Sequence, residues 1–182
     1  MSEELVVRCC APTLASLKTG NMFSCRCDTQ EELYAYIRNL NRRLLQKGLR
    51  VLPLRYRDGM ALIYVYRPSK LHKDLSHATA RKLLDARGYP CGNPMRCVKC
   101  LQKRLAAQED FPHEIGLFLG YPPEDVDGFI HRKKEAKCTG CWKVYGDVDK
   151  AEKTFARFKK CTDVYVRHWN SGSNIEKLAV SA

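Results

Sequence analysis

The run Ala61-Leu62-Ile63-Tyr64-Val65-Tyr66 carries an apolar or aromatic side chain at every position. β-Branched and aromatic residues suit a pleated, packed surface, so the run predicts a strand over 60–66. A strand with no polar face has to be covered on both sides, which calls for further layers above and below it. Just upstream, Arg57-Asp58-Gly59 supplies a turn and residues 49–56 supply a partner strand, so 49–66 reads as a hairpin. Pro53 has no amide hydrogen to give to a ladder, which puts the 49–56 strand near a sheet edge.

The covering layers come from helices. Over 29–47, Thr29 sits at an N-cap position and Glu32 follows three residues later, the pattern of a capping box. Leu33, Ile37, Leu40 and Leu44 then form one apolar stripe, and Gly48 stops the helix. Pro68-Ser69 opens a helix over 70–86, and Pro94 opens another that runs to Gln108 and carries Cys97 and Cys100. Short helical pieces follow over 112–119 and 123–130. Leu5-Val6-Val7 reads as a first strand, and Thr13 as the cap of a short helix ending at Gly20. Near the end, 142–145 reads as a strand, Asp147 caps a helix to Lys159, and 164–167 reads as a last strand in a β-α-β unit. The fold class is therefore α+β (mixed α/β). One domain over 1–169 has a small central sheet flanked by helices, and 170–182 form a polar, flexible C-terminal tail.

Three stretches are distinctive: Ala11-Pro12-Thr13-Leu14, then Phe111 to Val126 (FPHEIGLFLGYPPEDV), then Lys137 to Asp147 (KCTGCWKVYGD). Together they resemble an uncharacterised family of anaerobic Firmicutes, a domain of unknown function. The resemblance covers nearly the whole chain. It implies a bacterial, anaerobic, cytoplasmic setting and carries no activity with it.

Charge is unevenly placed on a chain of net +12. Residues 38–60 carry +6 and 67–104 carry +8, whereas 109–130 carry −6 from Glu109, Asp110, Glu114, Glu124, Asp125 and Asp127. Such a distribution suits an anionic ligand, nucleic acid or an acidic partner protein. No apolar stretch reaches the ~18 residues that span a bilayer, and the start lacks a basic, then apolar, leader. The expectation is a cytoplasmic protein with no membrane partner.

Ten cysteines in a reducing compartment point to buried thiols, metal ligands or redox groups rather than a disulfide frame. Two pairs have Cys-x-x-Cys spacing, Cys97/Cys100 and Cys138/Cys141. Two thiols at that spacing can face one point, to hold a metal or to close a reactive disulfide. Cys97, Cys100, Cys138 and Cys141 together would suit zinc or an iron–sulfur cluster. The 37 residues between the pairs exceed the ~15–20 usual in a zinc ribbon. Alternatively, Cys138/Cys141 alone make a redox pair. Gly140 permits the turn, Lys133, Lys134, Lys137 and Lys143 favour a thiolate, Cys138 is the more exposed thiol, and Trp142 can stack a planar cofactor.

Three other positions are candidates. Cys10, just before Pro12-Thr13, would be a lone nucleophile activated at a helix start. His113 would be an acid or base, although His113-Glu114 lacks the second histidine of a metalloprotease, Leu117 standing in its place. Lys18, in Lys18-Thr19-Gly20-Asn21, would hold a phosphate, but without a P-loop's glycine pattern this reads more simply as a helix stop. The leading functional expectation is a cysteine-dependent redox or metal-handling accessory protein with an acidic redox partner. The alternatives are a module binding an anionic ligand, a nucleotide or RNA, and an enzyme with a lone Cys nucleophile. In the RNA reading Arg38, Arg42, Arg43, Lys47, Arg50, Arg55 and Arg57 grip the backbone, while Tyr56, Tyr64 and Tyr66 stack bases.

Overall fold

The computed structural model of the protein describes residues 1–107, 111–131 and 135–181. Gln108, the expected helix end, the acidic residues Glu109 and Asp110, and Lys133 and Lys134 lie outside the described residues. The elements run α1 (Glu3–Leu14), β1 (Gly20–Arg26), α2 (Gln30–Leu44), a 3-10 turn (Leu45–Lys47), β2 (Arg50–Arg57) and β3 (Met60–Tyr66). They continue with α3 (Pro68–Leu75), α4 (Ala78–Asp85), α5 (Pro94–Ala107), α6 (Ile115–Phe118) and α7 (Pro123–His131). The chain closes with β4 (Cys138–Thr139), β5 (Lys143–Val144), α8 (Val148–Asn170) and α9 (Ile175–Leu178). This is the α+β class that the sequence predicts.

The apolar run is the middle strand of an antiparallel sheet ordered β1-β3-β2. Because side chains alternate across a strand, β3 feeds two cores. Ala61, Ile63 and Val65 enter one, beneath α1, α2 and α9. Leu62, Tyr64 and Tyr66 enter the other, beneath α3 to α7. Each of these side chains is at least nine-tenths buried, and burial of an aliphatic side chain the size of Leu62, Ile63 or Val65 stabilises by about 1.5–3 kcal/mol. Tyr64 also donates from its hydroxyl to the Phe118 carbonyl at 2.5 Å, which satisfies the one polar atom it brings inside. Pro53 lies on edge strand β2, where the register shifts between Pro53 and Arg55.

Helix α2 follows its sequence signals. The Thr29 hydroxyl accepts from the Glu32 amide at 3.2 Å, the four-residue stripe is buried, and Gly48 closes the end with φ of 71°. Other segments differ. Leu5-Val6-Val7 lies in α1, because Ser2 caps that helix and Val6, Val7, Cys10, Ala11 and Leu14 fall on one buried face. Tertiary burial outweighs the strand preference of two valines. Strand β1 starts at Gly20, where the sequence signals only a helix stop. The helix expected over 70–86 is two helices, separated where His77 turns extended. The strand expected at 164–167 lies within α8, so the closing unit is a short antiparallel hairpin followed by a long helix, not β-α-β.

The segment expected to fray is packed. Ile175 and Leu178 are buried beside α1, and the Val180 amide donates to Leu14 O. Arg67, fully buried, donates to the carbonyls of Thr13, Leu14, Lys47 and Val180. One guanidinium thus ties the sheet end, α1 and the C-terminal segment together, with four of its five donors met by backbone oxygens. No helix among the described residues is long and apolar enough to cross a membrane.

Candidate functional site

The three distinctive stretches meet in space around Lys18. After α1, the amides of Leu17 and Lys18 both donate to Pro12 O, at 2.8 and 3.0 Å. That turn sends the Lys18 side chain inward, where it is only 8% exposed. Its ammonium stands 5.2 Å from the centre of the Tyr121 ring and 5.9 Å from that of Phe158. Burial lowers its pKa to about 8, while the nearby Cys141 and Cys10 thiols pull it back upward.

Asp125 organises the wall beside it. Its carboxylate is buried and accepts three hydrogen bonds, from Trp142 Nε1 at 2.7 Å, Tyr145 N at 2.7 Å and Gly146 N at 2.8 Å. The β4–β5 hairpin is thereby clamped onto the first turn of α7. Trp142 stacks on Tyr121 at 4.9 Å and meets Phe155 edge-on at 4.5 Å. Gly140 lets the hairpin lie against α8, since a Cβ there would come 2.3 Å from the Phe155 ring. Gly120, at φ of +73°, packs over Thr19 and Asp74 where a Cβ would stand 2.7 Å from Thr19 Oγ1. The Thr19 hydroxyl in turn donates to Asp74 Oδ2, and burial raises the Asp74 pKa against that bond and the neighbouring lysines.

Lys18 lies at the junction of two openings. One is a cleft of about 310 Å³ whose lining includes Lys18, Lys70 and Lys73 of α3, and Lys150 and Arg157 of α8. None of these five cations makes an ion pair with a described residue. Four carboxylates share the lining: Asp74, Glu124, Asp125 and Asp147. Three are engaged internally: Asp74 with Thr19, Asp125 with the hairpin, and Asp147 with the Lys150 amide at the start of α8. The second opening, about 400 Å³, is lined by Cys9, Lys18, Tyr121, Cys141 and Phe158. A third pocket, about 380 Å³ and largely aromatic, shares Tyr121, Asp125 and Trp142 with these walls and includes His113 and Phe129.

The candidates named from sequence fare differently. Lys18, Cys141 and Trp142 come together. Cys141 is exposed and Cys138 is half-buried, the reverse of the expected order. Cys97 and Cys100 lie away from them on α5, with the Cys97 thiol against the Pro90 carbonyl at 3.4 Å. The two Cys-x-x-Cys pairs therefore do not converge. Among the described residues no group of three or more His, Cys, Asp or Glu side chains is placed to hold a metal ion. Trp142 is already stacked on Tyr121 and met edge-on by Phe155, rather than free to cover a planar cofactor.

Cys10 is not at a helix start but inside α1. It is fully buried, and burial, reinforced by Cys9, pushes its thiol well up despite Lys18. That is the opposite of an activated nucleophile. His113 sits edge-on to Phe129 at 5.0 Å in the aromatic pocket. Glu114 is buried, accepts from the Tyr89 hydroxyl at 2.8 Å and pairs with Arg87 at 3.3 Å. The tyrosines offered for base stacking, Tyr64 and Tyr66, are fully buried, and Arg43 is engaged with Glu3 and Glu176.

The rim cations were missed. Lys70 and Lys73 are three apart on α3, and Lys150 and Arg157 seven apart on α8, so each pair shares a helix face. That spacing was visible in the sequence, but nothing in it says that the two faces line one cleft.

Fold and site together define a small single-domain α+β protein with a buried lysine where a basic cleft meets a thiol-lined opening. The chain belongs to the family described as "Protein of unknown function (DUF3793)", which matches residues 6–179. No curated protein and no solved structure matches it.

Proposed function

We propose that the protein binds a small anionic molecule, carrying phosphate or carboxylate groups, in the cleft that Lys18 adjoins. One observation carries the reading. Five cations converge on an opening of ligand size, and none has an ion-pair partner among the described residues. The four carboxylates of the lining offset part of the repulsion among these cations, Asp74 acting on Lys70 and Lys73 at longer range, and an anion in the cleft offsets what is left. Lys70, Lys73, Lys150 and Arg157 hold the ligand from two helices, while Lys18 meets it at the buried end. This is the anionic-ligand alternative, with a cytoplasmic metabolite as ligand, and it centres on residues other than the arginines of α2 and β2.

The test is calorimetric titration of the full chain with inorganic pyrophosphate and citrate. The expected result is saturable binding that weakens as salt rises, and that falls about threefold to tenfold for Lys73→Gln or Arg157→Gln, the loss of one charge contact. Absence of binding by both anions, or binding indifferent to both substitutions, refutes the reading.

A second reading has its own support. Cys141 is exposed and lines the opening that also reaches Lys18, which favours thiol redox chemistry with Cys138 as its partner. Mass analysis after mild oxidation tests it. A Cys138–Cys141 disulfide supports it, and oxidation without that bond counts against it.

A further inference from the structure

The amine of Lys18 differs from the other four cations of the cleft. They stand on the rim, whereas Lys18 is 8% exposed, faces two aromatic rings, and makes no ion pair with any described residue. A lysine kept only to attract an anion would gain from exposure or from an acceptor. Burying an ammonium against rings costs hydration that the ring faces restore only in part. Two openings reach it, the basic cleft and the opening lined by Cys141, so a ligand can approach from one while water leaves by the other.

We infer that Lys18 is a carbonyl-reactive amine, forming an imine with a small anionic aldehyde or ketone held by the basic cleft. This rests on the anionic-ligand reading and names the substrate class. The neutral amine of Lys18 attacks the carbonyl carbon, and a C–N bond forms as the carbonyl π bond opens to a carbinolamine. The carbon–oxygen bond then breaks. The oxygen leaves as water with the two amine hydrogens, and a C=N bond remains. No oxidant or reductant is consumed. The phosphate or carboxylate of the ligand stays with Lys70, Lys73, Lys150 and Arg157 throughout.

Burial supplies the reactive form. With its pKa lowered from 10.5 to about 8, Lys18 is neutral on the order of a hundredfold more often at neutral pH than an ordinary exposed lysine. Tyr121, whose ring faces the amine at 5.2 Å, is pushed up to about 12 by its own burial and keeps its phenolic proton. The Asp74 carboxyl, on the wall of the same cleft, is raised by burial.

The full chain is incubated with pyridoxal phosphate as an anionic aldehyde probe, then reduced with borohydride and mapped by peptide mass analysis. The expected adduct sits on Lys18, forms about tenfold faster than with 5-deoxypyridoxal, an aldehyde that lacks the phosphate and cannot close to a hemiacetal, an effect the rim charges produce, and is absent in Lys18→Met. In the native protein the labelling rate should rise with a midpoint near pH 8, a readout that does not depend on how the variant folds. Adducts confined to exposed lysines, or a midpoint above pH 10, overturn the inference. If pyrophosphate still binds in that case, only the imine chemistry falls. If pyrophosphate does not bind either, the anionic-ligand reading falls with it.

Discussion

Replacing Asp125 by alanine should destabilise the protein strongly and release the wall of the site at the same time. The carboxylate accepts from Trp142 Nε1, Tyr145 N and Gly146 N, at 2.7, 2.7 and 2.8 Å, and is 3% exposed. A hydrogen bond to a charged acceptor contributes about 1.5–3 kcal/mol, and its loss leaves a donor unsatisfied. Three such losses are offset in part, because the buried charge and its desolvation cost disappear with them. The balance is a destabilisation of about 3–5 kcal/mol, a large share of the 5–15 kcal/mol typical of a whole domain. Asp125→Asn should cost less. Its single carbonyl oxygen can serve either the indole or the two amides, and its NH₂ must face the others. Urea unfolding followed by circular dichroism measures both, and Trp142 fluorescence reports whether the ring leaves its stack on Tyr121. A loss below about 1 kcal/mol for the alanine variant would show that the hairpin is held by something other than this carboxylate.

Lys18→Met should stabilise the protein at neutral pH. The unfolded chain holds the Lys18 proton up to pH 10.5, the folded chain only to about 8, so between these values the unfolded state binds more protons and stability rises with pH. The cost of burying the charge is therefore fully present below pH 8 and gone above 10.5. The variant's advantage, on the order of 2 kcal/mol after the attraction of the rings is counted, should follow that window in urea midpoints taken across pH. An advantage that persists unchanged above pH 10.5 contradicts it. Gly140→Ala should destabilise by about 1–3 kcal/mol, because the new methyl would overlap the Phe155 ring and push it from α8; thermal melting reads this directly. Under native conditions iodoacetamide should label Cys141 first and leave Cys10 untouched. Early labelling of Cys10 would mean that α1 opens far more often than its packing implies.

Where a sequence signal and the physics of packing coincide, the fold was legible. The unbroken apolar run at 61–66 led to a strand covered on both faces, and it became the middle of the sheet. Thr29, the Leu33 to Leu44 stripe and Gly48 marked α2 because cap, stripe and stop are all local. Val6-Val7 and Val164-Tyr165-Val166 misled for the opposite reason. Their strand preference is local, but burial along the helix faces of α1 and α8 decides their conformation, and that depends on distant partners. The site divided in the same way. Lys18, Cys141 and Trp142 were each recognisable by chemical type. Their meeting depends on Asp125 pulling the hairpin onto α7, a contact across 17 to 21 residues that no periodicity announces. The Cys-x-x-Cys spacing drew attention to pairing between cysteines, whereas the structure sets Cys141 at the same opening as Lys18.

The most direct test of the anion cleft is the pyrophosphate titration carried out on the native chain and on Lys73→Gln and Arg157→Gln, at two salt concentrations. Two substitutions on different helices that each weaken binding about threefold to tenfold, with affinity falling as salt rises, would place the anion between α3 and α8. Unaltered binding in both variants would put the anion elsewhere and leave the cleft without its proposed ligand.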